Sequence, residues 1–294
     1  MRAAANGIEI EYELHGAATG VPMLLIMGLG MQLTAWPDEL LKALVDQGFR
    51  PIVFDNRDIG RSTKYDSAGM PNLVAAGIRQ LLGLSIRSPY LLSDMAADAL
   101  GLLDALNIAR CHVVGVSMGG MIAQHLAAAA PARVQSVSLI MTSSGARKLR
   151  GPTAKARRAL LSGPQGNDDE ARITHAAGIW RVIGSPAYPQ SDAQLRERVG
   201  RGVRRSYYPP GVARQLVAVA ASGDRSAILP AISAPALVLH GRDDPLVPVA
   251  CGMDLAKKIR GAQLELIEGM GHDLPPELIP RIAASIAANA ARAD

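Results

Sequence analysis

The nine residues HVVGVSMGG, from His112 to Gly120, constrain the fold of this chain more than any other segment. The β-branched residues up to Val116 read as a short buried strand, and the run MIAQHLAAAA that follows reads as a helix. Between them lies Gly115-Val116-Ser117-Met118-Gly119, so the strand must turn into the helix within a few residues. So tight a turn leaves no room for side chains where strand and helix pass closest, which accounts for a glycine two positions before and two after the serine. The turn lifts Ser117 to the top of a sheet at a helix N-terminus, where amides and dipole favour negative charge. A glycine-flanked structural serine shares the bare pattern; the strand and helix around it make Ser117 a nucleophile candidate.

The same alternation runs along the rest of the chain. Strand-length apolar runs stand at 8–14, 23–27, 51–55, 112–116, 136–141, 236–240 and 264–267, with the clearest helical spacing at 38–47, 92–106, 118–130 and 251–259. Strands alternating with helices predict an α/β fold with a mostly parallel central sheet. Two stretches break the rhythm. Residues 65–91 form a connection longer than normal, with the apolar helical centre NLVAAGIRQLLGL, expected to wall a site. From 145 to 231 the strands stop and a basic, helix-rich stretch takes over, which predicts a helical cap inserted into a core made of 1–144 and 232–294.

A serine hydroxyl is a weak nucleophile at neutral pH and needs a base. For a serine on this kind of turn the partners follow in chain order, carboxylate then histidine. His272 is the base candidate, because the loop GMGHD after the strand LELIE occupies the expected last-strand position. The other histidines read as structural: His15 in a hairpin, His112 at a strand start, His125 in helix packing, His175 on the cap surface and His240 at a strand end. Upstream, the strand ALVLH ends in GRDDP, where Asp243 and Asp244 compete for the carboxylate that would steady the imidazolium. An Asp before Pro is also ordinary turn chemistry.

With Gly28, the GVSMG turn, the GRDDP loop and His272 in this order, the chain resembles the α/β-hydrolase superfamily over nearly its whole length. Closer similarity is to bacterial methylesterases of the aclacinomycin type, carried by the MG at Met27-Gly28, WPDE at 36–39, RDIGRST at 57–63, GVSMG, and GMGHDLP near the end. The resemblance implies Asp244, three residues past its glycine, as the acid, and the amides of Leu29 and Met118 as the oxyanion donors. It implies an esterase. The chain departs from the wider superfamily pattern at Met27, where a histidine is common, and at Asp58, which takes a glycine position. Asp55, Arg57 and Gly60 read as a structural turn.

Serine at the turn argues against an aspartyl-ester mechanism, and acyl transfer to water remains. A C–C bond hydrolase or cofactor-free perhydrolase on the same three residues is the alternative, and a non-enzymatic ligand receptor the reading of another class. Neither an organic cofactor nor a metal is called for, since no metal-ligand spacing occurs. The expected partner is a small hydrophobic ester lined by Gly28, Trp36, Trp180 and Tyr207, with Tyr188 and Tyr208 nearby, although core packing explains the cap aromatics equally well. Two cysteines, Cys111 and Cys251, suggest no disulfide framework. The N-terminus reads as mature protein without a secretory signal, no run approaches a membrane span, and a cytoplasmic protein is expected; oligomeric state is not legible. Net charge is +5, yet residues 147–205 hold thirteen Lys and Arg against five Asp and Glu. That excess reads as a solvated helical face, or as a field that steers anionic substrates through arginine pairs such as Arg157-Arg158 and Arg204-Arg205; no nucleic-acid motif accompanies it.

Overall fold

A computed structural model describes residues 1–293. The chain runs β1 (Arg2–Ala5), β2 (Ile8–Leu14), β3 (Val21–Ile26), α1 (Asp38–Asp46), β4 (Phe49–Phe54), α2 (Leu73–Leu81), α3 (Leu92–Ala105), β5 (Cys111–Val116), α4 (Met118–Ala129) and β6 (Val134–Ile140). It continues with α5 (Ala154–Leu161), α6 (Asp169–Ile183), α7 (Asp192–Arg205), α8 (Pro209–Ser222), β7 (Ala236–Gly241), α9 (Ala250–Lys258), β8 (Gln263–Ile267) and α10 (Ile279–Ala290). The strands form one eight-stranded sheet in the order β1-β2-β4-β3-β5-β6-β7-β8. From β4 onward neighbours are parallel; β1 and β2 are antiparallel.

A parallel strand flanked by crossover helices is buried on both faces, and β5 shows it: all six of its residues are buried. Leucines and isoleucines of α3, α4 and α9 fill one face of the sheet, and those of α1 and α10 fill the other. Both cysteines are buried and free, and burial pushes the Cys111 thiol up to about 12. No helix among the described residues is long and apolar enough to cross a membrane.

The seven strands read from the pattern are present with ends shifted by one or two residues. The strand β1 escaped the reading because RAAA carries too little apolar contrast to show a period of two.

The α5–α8 segment lies between β6 and β7 and has a small apolar cluster of its own, Ile173, Ala177, Leu195 and Val199. Buried charge ties it to the core. Asp58 adopts φ +70°, which accounts for the glycine usual at that position. Its carboxylate takes two hydrogen bonds from Arg214 of α8, at 2.7 and 2.8 Å, and one from Tyr90 at 2.7 Å. Burial alone would raise the Asp58 carboxyl, but these donors and the Tyr65 amide hold it below the ordinary carboxylate range. Asp55 is likewise structural: it accepts from the Leu33 and Arg61 amides and from Arg205 of α7. Arg205, named above as a source of steering potential, is half-buried and engaged with the buried Asp55 at 2.7 Å. Arg57 completes the turn against Asp98.

Replacing Arg214 by Met leaves the Asp58 carboxylate buried without its cation, which should reduce unfolding free energy by roughly 3–5 kcal/mol at neutral pH. Because the folded Asp58 carboxyl lies below its unfolded value, the contribution is present above about pH 4 and is lost as pH falls through the folded value. Urea unfolding of both proteins should show a gap at pH 7 that narrows toward pH 3. A constant gap would mean that Arg214 acts through packing alone.

Candidate active site

The turn from β5 into α4 is as tight as its glycines imply. Ser117 sits at φ 56°, ψ −120°, a conformation that costs a non-glycine residue about 1–3 kcal/mol and persists only where its surroundings enforce it. Its amide bonds the Ile140 carbonyl at 3.0 Å, and its own carbonyl accepts from the Thr142 hydroxyl at 2.6 Å. A Cβ on Gly115 would overlap the Gly119 carbonyl, and a Cβ on Gly119 would overlap the Ile26 carbonyl at the end of β3. The two glycines thus let β3, β5 and α4 converge directly beneath the serine.

His272 reaches Ser117 from the loop after β8, with Nε2 3.0 Å from the hydroxyl oxygen, while Nδ1 stands 2.7 Å from Asp244 Oδ2. The pairing assigns the proton to Nδ1, donating to Asp244, and leaves the Nε2 lone pair facing the serine hydroxyl. Asp244 Oδ1 accepts from the amides of Leu246 and Val247, each at 2.8 Å. Asp243 does other work, its Oδ2 taking the Gly269 amide at 2.9 Å and so bracing the histidine loop from outside. Of the two competing aspartates, Asp244 alone meets the imidazole.

That loop is braced from the α5–α8 segment as well. The His272 amide donates to Ile183 O at 2.7 Å, the Gly271 amide to Ser185 Oγ at 2.9 Å, and the Ser185 hydroxyl to Asp273. Side chains on Gly269 or Gly271 would overlap Ala187 or Gly184, so these glycines admit a close neighbour rather than loosen the loop. Burial pushes Asp273 above the ordinary carboxylate range, against the opposing pull of Ser185 and Arg198. His240, read as a strand end, lies buried behind the acid: its Nε2 donates to Val247 O at 2.8 Å and stands 3.7 Å from Asp244 Oδ2. Burial holds His240 below the ordinary imidazole range, hence neutral. Neither Ser185 nor His240 carried a sequence signal beyond an unremarkable residue type.

The loop after β3 passes beside the serine, and a Cβ on Gly28 would come 3.2 Å from Ser117 Cβ. Asn56 Nδ2 bonds Met27 O at 3.0 Å and Gln215 Oε1 accepts the Gly30 amide at 2.9 Å, which fixes Leu29 between them. Met27 is buried in the core, as suits an apolar replacement for histidine. Met118 opens α4, where first-turn amides have no intrahelical acceptor. Of the three aromatics expected to line a pocket, one borders a cavity and two are engaged otherwise. Trp36 is only 1% exposed, packed in the core with α1, because the WPDE turn folds it under the sheet face. Trp180 stacks beneath Arg198 at 4.4 Å and borders a cavity of about 380 Å³ with Ser185, Asp243 and Asp273, behind the histidine loop. Tyr207 is exposed, under Arg172 at 4.4 Å.

Residues 21–175 match the family described as alpha/beta hydrolase fold. The rhodomycin D methylesterase DauP of Streptomyces sp. (strain C5) is 30% identical, over 93% of this chain and 92% of its own. A protein of Variovorax paradoxus (strain S110) that carries the name of a carbamate hydrolase, RutD, is 32% identical over 90% of this chain and 89% of its own. Among solved structures, the enol-lactonase from Burkholderia xenovorans LB400 superposes with a TM-score of 0.75 at 25% identity, covering 98% of this chain and 99% of that one.

The convergence beneath Ser117 has a direct test. Gly119→Ala forces a methyl group into the Ile26 carbonyl and should destabilise the fold by about 3 kcal/mol, whereas Gly151→Ala, with open space around it, should be close to neutral. Equal unfolding midpoints for the two variants would contradict the described turn.

Proposed function

Because the chain belongs to the α/β hydrolase fold family, we propose that it is a carboxylic ester hydrolase in which Ser117, His272 and Asp244 form a triad. The observation that carries the reading is the arrangement of His272, with Nε2 3.0 Å from the Ser117 hydroxyl and Nδ1 2.7 Å from Asp244. Both separations lie within the reach that proton transfer requires. In this cycle the Ser117 oxygen attacks the ester carbonyl carbon as its proton passes to Nε2. The Leu29 and Met118 amides bind the carbonyl oxygen as it gains charge. Collapse expels the alcohol, which takes the proton back from Nε2, and leaves an acyl group on Ser117. Water, deprotonated by the same nitrogen, then releases the acid. Asp244 stabilises the imidazolium in both halves.

The α5–α8 segment serves as the cap of the 1–144 and 232–294 core, and its hold on the His272 loop through Ile183 and Ser185 makes it part of the base's support. A hydrophobic small-molecule ester is the favoured substrate. Likeness over most of the chain to a protein named for hydrolysis of a methyl ester, rhodomycin D, supports this choice over the carbon–carbon alternative.

Ser117→Ala and His272→Ala should each lower kcat for a chromogenic butyrate ester by several orders of magnitude with the fold intact, since members of such a unit act together. Asp244→Asn should lower it by up to about 10⁴-fold and Asp243→Asn far less. Near-normal turnover by folded Ser117→Ala ends the proposal, and the reverse ranking moves the acid to Asp243. Substrate class is read by competition: methyl esters of polycyclic acids should inhibit butyrate hydrolysis better than methyl acetate, and faster cleavage of a vinylogous diketone than of any ester would favour the C–C reading.

A further inference from the structure

The α2 helix, expected from its sequence to wall a site, buries none of its nine residues. Val74, Ile78, Leu81 and Leu82 recur at helical spacing along one side, and Leu81 is 89% exposed, Val74 74% and Leu82 67%. Met70 and Leu84 extend the apolar surface at either end. A surface helix ordinarily turns such a stripe inward; this one turns it to solvent while its other contacts reach α8. The Asn72 side chain caps its first turn through the Ala75 amide, and Arg79 Nε closes its last on Ser85 O, so the helix is formed without a partner for the stripe.

A second observation lies beside it. The guanidinium of Arg147 stands 3.8 Å from where a Cβ on Gly83 would be, so the chain leading into α5 borders the end of α2. Residues 145–165 hold Arg147, Lys148, Arg150, Lys155, Arg157 and Arg158 and no Asp or Glu; residues 70–90 add Arg79 and Arg87, again without an acid. All eight are exposed, and none is in an ion pair among the described residues. This contrasts with the cap arginines 172, 181, 196 and 201, each paired with a carboxylate.

We propose that α2 and the adjoining basic stretch at residues 147–150 dock the protein on a membrane surface rich in anionic phospholipid, the apolar stripe entering the headgroup boundary and the cations meeting lipid phosphates. Exposed leucines beside unpaired Lys and Arg are the two components of interfacial binding. Charge complementarity selects this occupant. A second copy would bring two faces rich in unpaired Lys and Arg together and be repelled, and nucleic acid would leave the leucines in water.

The test is co-sedimentation of the full chain with vesicles of phosphatidylcholine alone and with phosphatidylglycerol in equal parts. Binding to the anionic vesicles should be at least about tenfold tighter and should weaken as salt rises from about 0.01 to 0.15 M. Leu81→Ser with Leu82→Ser, and separately Arg147→Glu with Lys148→Glu, should each lower partitioning at least about tenfold, with unchanged melting and unchanged hydrolysis of a water-soluble ester. Val74→Ser with Ile78→Ser gives the apolar arm a second variant. The proposal is overturned by absence of vesicle binding, by equal binding to both vesicle types, or by indifference to either set of changes. It is overturned too by a concentration-dependent dimer lost on Leu81→Ser with Leu82→Ser, by duplex DNA binding as tight as the vesicles, or by leucine variants that raise KM for the soluble ester, which would make α2 a substrate wall.

Discussion

The contact between Gly119 and the Ile26 carbonyl is the constraint on which the site depends. Two parallel strands and a helix meet there with no side chain between them, and the chain responds by placing Ser117 at φ 56°. The distortion is offset by what surrounds it: the hydrogen bonds of Ser117 to Ile140 and Thr142, and the fully buried β5 beneath. Once the serine is raised in this way, the chain just past β3 runs beside it at Gly28, and α4 starts at the next residue, Met118. The raised Ser117 and the close passage of Gly28 beside it thus follow from one close approach rather than from separate devices.

His272 depends on a different kind of support. His272 rides on a loop held from three directions: Asp244 at its ring, Asp243 at Gly269, and the α6–α7 connection at its backbone. Since α8 is itself locked to the core through Arg214 and Asp58, and α7 through Arg205 and Asp55, the segment between β6 and β7 is positioned by buried charge and in turn positions the histidine. Such pairs contribute little net stability compared with apolar packing, but breaking one is severely destabilising.

Much of this was legible in residue order. The strands were visible as apolar runs, Ser117 by its glycines, and His272 by its place after the last strand. Asp244 was separable from Asp243 only by resemblance, because both carboxylates satisfy the same turn chemistry and the distinction lies in which one faces an imidazole 28 residues away. Long-range partnership explains the remaining surprises too. Trp36 and Tyr207 were read as pocket aromatics from type alone, yet one packs under the sheet and the other under Arg172. Asp58 looked like a departure from a glycine position until Arg214, 156 residues on, supplied its reason. The stripe on α2 was visible as a period, but periodicity states that a face is apolar, not that another element covers it.

The central claim, that Ser117 is a nucleophile activated by His272, is tested most directly by its covalent chemistry in the folded protein. Incubation with a fluorophosphonate at neutral pH, followed by intact-mass and peptide mass spectrometry, should give one adduct per chain, located on Ser117. Labelling should slow by orders of magnitude in His272→Ala and vanish in Ser117→Ala. An adduct on another residue, no adduct at all, or labelling of His272→Ala at the rate of the unaltered protein would contradict it.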